Sequence, residues 1–493
     1  MTAASQVGMA VLVLYLVAVL YIGWRAYRVG SENFADQAVA NRGLGIFVLT
    51  LTYAATYHSA YAFTGIVGFA QGDGIPFWIN GLWLVPPTVL FWEFGKRLWV
   101  LGKRYNYVSL AQYLGDAYDN RTVAMLTALV QTVFIVPYVT VQLIGTGYIF
   151  NTVTGGAIPF EVGAAIMLVV MIIYVWAGGM RAVAWTDTVQ GIMMFLAVVG
   201  GSFFVTTQLG GSITGVFQQA AAQVPEAFSL PGRAGAFTPV RWISQWVPLC
   251  LGVILAPQLV LRMFSARSLN VLKWASVGGA VYITAIYTFT PAVGMAGILY
   301  GGDYAPDQFF VAMLWEHLPV LLAGLALAGG FAAAMSTADS QIHAVSTTVA
   351  GDIYAPLVRR KPSDRELTRV MHIVHVLLGA AAYYWVLTQP PALINIVTIA
   401  VGGTAMLAPA LVGALYSRRV SGPVAALSIV VGLAALVVTQ FLWRNPLGLG
   451  ILPGMWGLIL STLVVVLGAL IVKAQPSERL IEQHGHLRSI FGA

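Results

Sequence analysis

Apolar runs long enough to cross a bilayer recur along the whole chain, and no other feature restricts its fold so strongly. Thirteen segments can be read, at roughly 7–27, 45–70, 75–100, 122–150, 159–178, 184–208, 242–262, 273–300, 319–350, 368–388, 391–416, 422–442 and 451–472. Several are long enough to tilt. Their apolar character is continuous rather than alternating at period two, so the sequence predicts helices and not a barrel. The expected fold class is an all-α polytopic membrane protein. Only 9% of the 493 residues are charged and 59% are hydrophobic, with mean hydropathy +0.81. A soluble surface draws on about 25% charge, so a water-soluble enzyme and a disordered chain are both excluded. The single cysteine, Cys250, rules out an internal disulfide and any cysteine-based zinc or iron–sulfur centre.

No positive charge precedes the first segment, which is too long for a cleaved signal peptide and is followed by Arg25 and Arg28. That order predicts an N-terminus outside and residues 25–42 inside. Alternating the loops from there puts 22 of the 25 Lys and Arg inside, Arg181 and Arg262 among them, and leaves Arg233, Arg241 and Arg444 outside. The C-terminus then lies inside. The net charge of +7 reads as topology of a protein in the cytoplasmic membrane, and no nucleic-acid partner is needed to account for it.

Polar side chains enter the spans in few places. Segment 45–70 carries Thr50, Thr52, Tyr53, Thr56, Tyr57, His58, Ser59 and Tyr61. Such a stretch serves either helix packing through small polar residues or a broken helix whose freed carbonyls bind ions and substrate. Segment 242–262 carries Gly252 and Ala256-Pro257-Gln258, then Arg262. A proline there removes one helical hydrogen bond and favours a kink or a break. Both segments open a set of five spans, 45–208 and 242–416. Interrupted helices in corresponding positions of two halves point to an inverted-repeat transporter. Segments 422–472 add two helices, and 473–493 form a cytoplasmic tail.

Segment 319–350 holds Ser336, Asp339, Ser340 and His343 at i, i+3, i+4, i+7 spacing, on one helical face. A carboxylate there either serves a hard cation, which takes hydroxyl, carbonyl and carboxylate oxygens, or pairs with His343 one turn on. Between 178 and 190, Gly178 and Gly179 end a helix, Arg181 marks the inside and Trp185 suits the interface. Asp187 either caps the next helix or takes part in ion binding.

These motifs resemble the sodium–solute symporter family, from Ser31-Glu32-Asn33-Phe34 to Ser417-Arg418-Arg419. The most specific parts are the 178–190 run, Ala256-Pro257-Gln258 leading to Arg262, and Met335-Ser336-Thr337 leading to Gly351-Asp352-Ile353-Tyr354. The resemblance implies one transporter domain of leucine-transporter type: an extra first helix, two inverted five-helix repeats and two further helices. It implies sodium-coupled uptake of a small organic solute, with Na+ as coupling ion and no other cofactor. The main sodium site would take the carbonyls of Ala55, His58 and Ala333 and the hydroxyls of Ser336 and Thr337. A second site, for sodium or a proton, would use Asp187, Asp339 and Ser340, with Asp339 standing where some relatives have serine. Substrate would meet Tyr57, His58, Trp78, Gln142, Trp246, Gln258 and Thr404. Tyr57 replaces an aspartate of the proline transporters and amides are few, so a small carboxylate or amino acid is expected over proline or a sugar.

Three rival readings stand beside this one. Protons could replace sodium, through His58, Asp339 and His343. A solute sensor is disfavoured because about 20 residues follow the last span, too few for a signalling module. An intramembrane enzyme lacks an HExxH motif, a phosphate loop or a nucleophile–base arrangement. His372 and His375 have metal-compatible spacing without an evident third ligand, and His484 and His486 read as solvated. No transition metal is expected, and the partners are the solute, Na+, the lipid bilayer and at most a weak homo-oligomer. Residues 209–239 form the longest outside loop, and Asp303, Asp307 and Glu316 read as a solvated acidic face.

Overall fold

A computed structural model of the chain describes residues 2–30, 33–76, 85–235, 237–302, 304–388, 393–472 and 475–492. Apart from an isolated bridge between Leu44 and Ala266, the described residues form helices and their connections. Helices satisfy their own backbone groups, which hydrocarbon cannot do for them. In chain order, α1 is Ala3–Val29, α2 Ile46–Tyr57, α3 Ile66–Asp73, α4 Pro86–Tyr105, α5 Leu110–Ala117, α6 Ile135–Thr154, α7 Phe160–Phe195 and α8 Pro239–Leu255. There follow α9 Pro257–Ser265, α10 Leu269–Tyr300, α11 Val320–Thr348, α12 Asp364–Leu387, α13 Leu393–Ala405, α14 Gly422–Val437, α15 Pro453–Ile471 and α16 Glu478–Phe491.

Among the described residues, nine helices are long and apolar enough to cross a membrane, or ten when α8 and α9 count as one bent span. Thirteen segments were expected, and the difference has local causes. Segments 159–178 and 184–208 are two helices that meet at a kink at the glycines, and they count together as one span of 51 residues. Gly179 takes φ 54° and ψ −149° at the bend, and a Cβ would lie 2.2 Å from Gln37 Oε1, so only glycine fits. Segment 45–70 divides into α2 and α3, each too short to span alone. Segment 75–100 begins within residues 77–84, outside the described residues, and its helix α4 carries Glu93, Lys96 and Arg97.

α11 sits at the centre. It is 72% buried over its most apolar window, against 22% for α15. It packs on α1, α2, α6, α7, α9 and α12, while α14 and α15 pack mainly on each other. α11 is enclosed by other helices, while α15, apolar all round, suits a place against lipid. The 209–239 stretch is more than a loop. It forms a helix, Ile213–Gln223, and folds over the end of α3, where the Ile75 amide donates to Ala227 O (2.8 Å) and the Arg233 amide to Asp73 O (3.2 Å). The tail is likewise ordered: α16 docks back on the protein, so His484, which donates to Ala414 O at 2.8 Å, is not simply solvated.

Candidate functional site

Two helix breaks face α11. At the first, α2 ends on His58 in extended geometry, and the last helical bond runs from the His58 amide to Ala54 O (3.1 Å). The chain restarts at Ala60, whose amide donates to Gln142 Oε1 (2.8 Å), and passes through a π turn, Tyr61–Gly65, before α3. The polar stretch in this segment is thus a true break. At the second, Ala256 is extended, Pro257 is the first residue of α9, and the axes turn by 48°. Proline suits that position because the first helical amide has no intrahelical acceptor. Gln131 Nε2 donates to the freed Leu255 carbonyl at 2.8 Å.

The first break leaves carbonyls without helical partners, and hydroxyls of α11 reach them. Ser336 Oγ donates to Ala55 O (3.2 Å) and Ala333 O (3.2 Å). Thr337 Oγ1 lies 2.9 Å from His58 O, 3.3 Å from Ala333 O and 3.4 Å from Ala55 O. All five groups expected for the main sodium site therefore meet in one place, three carbonyl and two hydroxyl oxygens from two helices. The residues are fully buried. Neutral, hard oxygen donors of this kind suit an alkali cation and not a soft metal.

One turn further along α11 the chemistry changes. Arg262, 1% exposed, projects from α9 into the core and pairs with Asp187 Oδ2 at 2.7 Å. Its Nη2 also donates to Ser340 Oγ (2.6 Å) and Thr52 Oγ1 (2.9 Å), its Nη1 to Gln258 O (2.9 Å), and its Nε to Thr52 Oγ1 (3.1 Å). Asp187 Oδ2 accepts further bonds from Thr52 Oγ1 (2.5 Å), Thr56 Oγ1 (3.3 Å) and Ser340 Oγ (3.4 Å). A buried ion pair needs such added hydrogen bonds to offset its desolvation.

This corrects two expectations. Arg262 is not an inside-loop cation but a core residue. Asp187 caps nothing, since it lies two turns past the Gly179 bend within α7. Asp339 is hydrogen-bonded by Tyr174 of α7, so it does not depend on His343 for a partner. Its Oδ1 and that of Asp187 have no hydrogen-bond partner among the described residues. The second-site residues are therefore divided: the guanidinium of Arg262 bonds both Asp187 and Ser340, while Asp339 turns toward Tyr174.

The substrate candidates separate into two kinds. Gln142 and Thr404 spend their side chains on structure: Gln142 Nε2 donates to Tyr138 O (3.0 Å), and Thr404 Oγ1 donates to Gly252 O (2.9 Å) and Val401 O (3.0 Å). Tyr57 Oη, His58 Nε2, Trp246 Nε1 and Gln258 Oε1 are buried and have no hydrogen-bond partner among the described residues. His58 donates through Nδ1 to Ala54 O (2.8 Å), which leaves Nε2 as an acceptor in the neutral ring, and it sits among Tyr57, Tyr282 and Tyr287, with ring centroids 5.2–5.8 Å away. Trp78 lies outside the described residues. His375 is buried between His343 and His372, with centroids 6.1 and 6.0 Å away, and no group of three or more metal-ligating side chains occurs among the described residues.

Thr52, Thr56 and Tyr174 belong to the site as well, and none was singled out for it. Thr52 and Thr56 are four apart on the α2 face that meets Asp187, a spacing visible in the sequence. Tyr174 is one apolar-looking residue of a long apolar run and carried no such signal.

Comparison with known proteins agrees with this geometry. The family model described as "Sodium:solute symporter family" matches residues 38–432. The chain is 30% identical over 468 residues to the sodium/pantothenate symporter of Escherichia coli, covering 93% of this chain and 95% of that protein. It is 25% identical over 486 residues to an osmoregulated proline transporter of Bacillus subtilis, covering 95% and 96%. A solved Na+-coupled sialic acid symporter, in a substrate-bound outward-open state, superposes with TM-score 0.80 at 20% identity over 96% of this chain and 99% of that one. A nucleobase-cation-symport-1 family transporter in a closed conformation gives 0.59 at 12% identity, covering 91% and 97%. These two likenesses establish the fold alone. The relatives are transporters of several solutes, and the chain belongs to the sodium:solute symporter family, a sodium-coupled solute symporter of the membrane.

Proposed function

We propose that the chain takes up a small carboxylate or amino acid, driven by one sodium ion held by Ala55, His58, Ala333, Ser336 and Thr337. The observation that carries this is the meeting of five oxygens from the α2 break and α11. Sodium there ties the break to α11. A solute resting on the same break then gains affinity from sodium, and sodium gains affinity from the solute by an equal factor. The sodium gradient and membrane potential, worth about 2.3 kcal/mol per charge per 100 mV, drive uptake.

Arg262 supports a single sodium, because it already supplies a positive charge to Asp187 and Ser340. Tyr57, His58, Trp246 and Gln258 are the proposed substrate contacts, and Trp78, outside the described residues, is proposed with them from the sequence. Pantothenate and proline, the solutes named for two relatives, are both carboxylates, and spare donors on Tyr57 and Trp246 suit that group. We further read thirteen spans, an outside N-terminus, an inside C-terminus, repeats at 45–208 and 242–416, a place in the cell membrane, and a monomer or weak homo-oligomer.

Proton coupling is the second reading, favoured by one observation: Asp339 Oδ1 lacks a hydrogen-bond partner among the described residues. A thermal-shift screen of organic acids and amino acids in sodium and in potassium separates the two. Stabilisation follows RT ln(1 + [L]/Kd), so a hit confined to sodium names solute and ion together. A hit that is equal in potassium, with uptake following a pH gradient, overturns sodium coupling at this site.

A further inference from the structure

α16 lies against the ends of other helices through a specific set of contacts. Ser477 accepts from the Leu480 amide (3.0 Å) and donates to Ala117 O at the end of α5 (2.6 Å). Arg479 pairs with Asp116 (3.1 Å), Arg104 with Glu482 (3.3 Å), and Gln483 Nε2 donates to the Tyr107 hydroxyl (3.0 Å). Leu480 and Leu487 are buried by this docking, while Ile481 and Ile490 stay exposed. A short helix with apolar residues on its outer face and arginines beside them suits the boundary between headgroups and acyl chains.

Between α16, α4 and the helix Ala408–Tyr416 is a cavity of about 190 Å³. Arg97 and Arg488 give its lining two cations, His484 a ring bonded to Ala414 O, and Leu415, Leu487 and Phe491 its apolar part. Arg97 is stacked over the Tyr416 ring at 4.4 Å and shares Glu93 with Lys96, each at 2.5 Å. Arg418 also bears on the site. Burial pushes the His484 imidazole below its ordinary value, and Arg418, Arg488 and Arg97 push it the same way. Glu93 thus answers Lys96 and Arg97, while Arg418 and Arg488 bear on His484. Arg488 is exposed and forms no ion pair among the described residues.

We propose that this cavity binds the phosphate of an anionic phospholipid headgroup from the leaflet against which α16 lies. Guanidinium groups match phosphate oxygens bidentately. Basic side chains next to a span end attract anionic lipid, and the apolar part accepts the glycerol end of the same molecule. Bound lipid would pin α16 to α4 and to the end of the Ala408–Tyr416 helix.

Native mass spectrometry of the full chain, released from nanodiscs of phosphatidylglycerol and phosphatidylcholine, tests this. Phosphatidylglycerol is expected to be retained over phosphatidylcholine. Arg488→Gln is expected to weaken that retention about fivefold. Arg360→Gln, at an exposed arginine elsewhere, is expected to leave retention unchanged. Failure of millimolar inorganic phosphate to displace the lipid identifies the headgroup as the source. Full displacement identifies soluble phosphate as the ligand of the same site. Equal retention of the two lipids with no effect of phosphate, or undiminished retention in Arg488→Gln, overturns the proposal. Should a variant unfold, phosphatidylglycerol added to the unmodified protein must still raise its melting temperature above that in phosphatidylcholine.

Discussion

Two polar clusters lie one turn apart on α11, and they solve the burial problem in different ways. At Ala55, His58, Ala333, Ser336 and Thr337 every oxygen is neutral and the protein supplies no cation. At Asp187, Ser340, Thr52 and Arg262 the carboxylate is paired with a guanidinium bonded through all three of its nitrogens. The neutral cluster costs little to bury and can exchange a guest. The charged cluster is expensive to bury and stable only while both charges stay. A chain with so few charges therefore separates coupling from scaffolding: a mobile ion is expected where charge is absent, and a fixed charge holds α7, α9 and α2 against α11.

Removing one member of the charged cluster is expected to have the largest effect. Arg262→Met strands Asp187 in the core at a cost of about 3–5 kcal/mol, seen as a lowered melting temperature in detergent. Adding Asp187→Leu should recover much of that loss. A single variant that melts like the unmodified protein would erase the contrast between the clusters. In the neutral cluster, Ser336→Ala or Thr337→Ala should leave melting nearly unchanged. Each is expected to raise half-saturating sodium for uptake into proteoliposomes about ten- to a hundredfold, the weight of one or two hydrogen-bond-scale contacts to a charge. Unaltered sodium dependence in both variants sinks the sodium site. Asp339→Asn sits between the clusters; sodium-driven uptake should persist with half-saturating sodium moved by about tenfold at most. Loss of uptake driven by a pH gradient in that variant would instead assign the coupling to a proton. Smallest of all, Tyr174→Phe removes the hydroxyl donated to Asp339 and should cost about 1 kcal/mol in thermal unfolding.

The fold class was legible because hydrocarbon admits few architectures, and a continuous apolar run of sufficient length has one reading. Both helix breaks were legible as well, one from a proline and the other from a run of threonines, tyrosines and a histidine. The neutral cluster could be named residue by residue through family resemblance, and the structure draws all five residues together. The charged cluster was misread in its cation. Counting charges along a chain treats an arginine near a span end as a loop residue, and the burial of Arg262 depends on Asp187, 75 positions away. Tyr174 is 165 positions from Asp339 and was hidden for the same reason. The tail was misjudged because a short mixed-charge segment has no visible partner until Asp116, Tyr107 and Ala414 are seen beneath it.

By itself, the sequence determined that this chain lives in a membrane and is helical, and it pointed to the two places where helices are interrupted. Hydrophobic length and missing backbone donors are local properties, so local reading suffices for them. The tertiary structure alone decided which oxygens stay neutral, which carboxylate receives the buried arginine, and which candidate side chains keep a spare polar group for a solute. Those outcomes rest on contacts between α2, α7, α9 and α11, and a contact between distant segments is written in no single stretch of the chain.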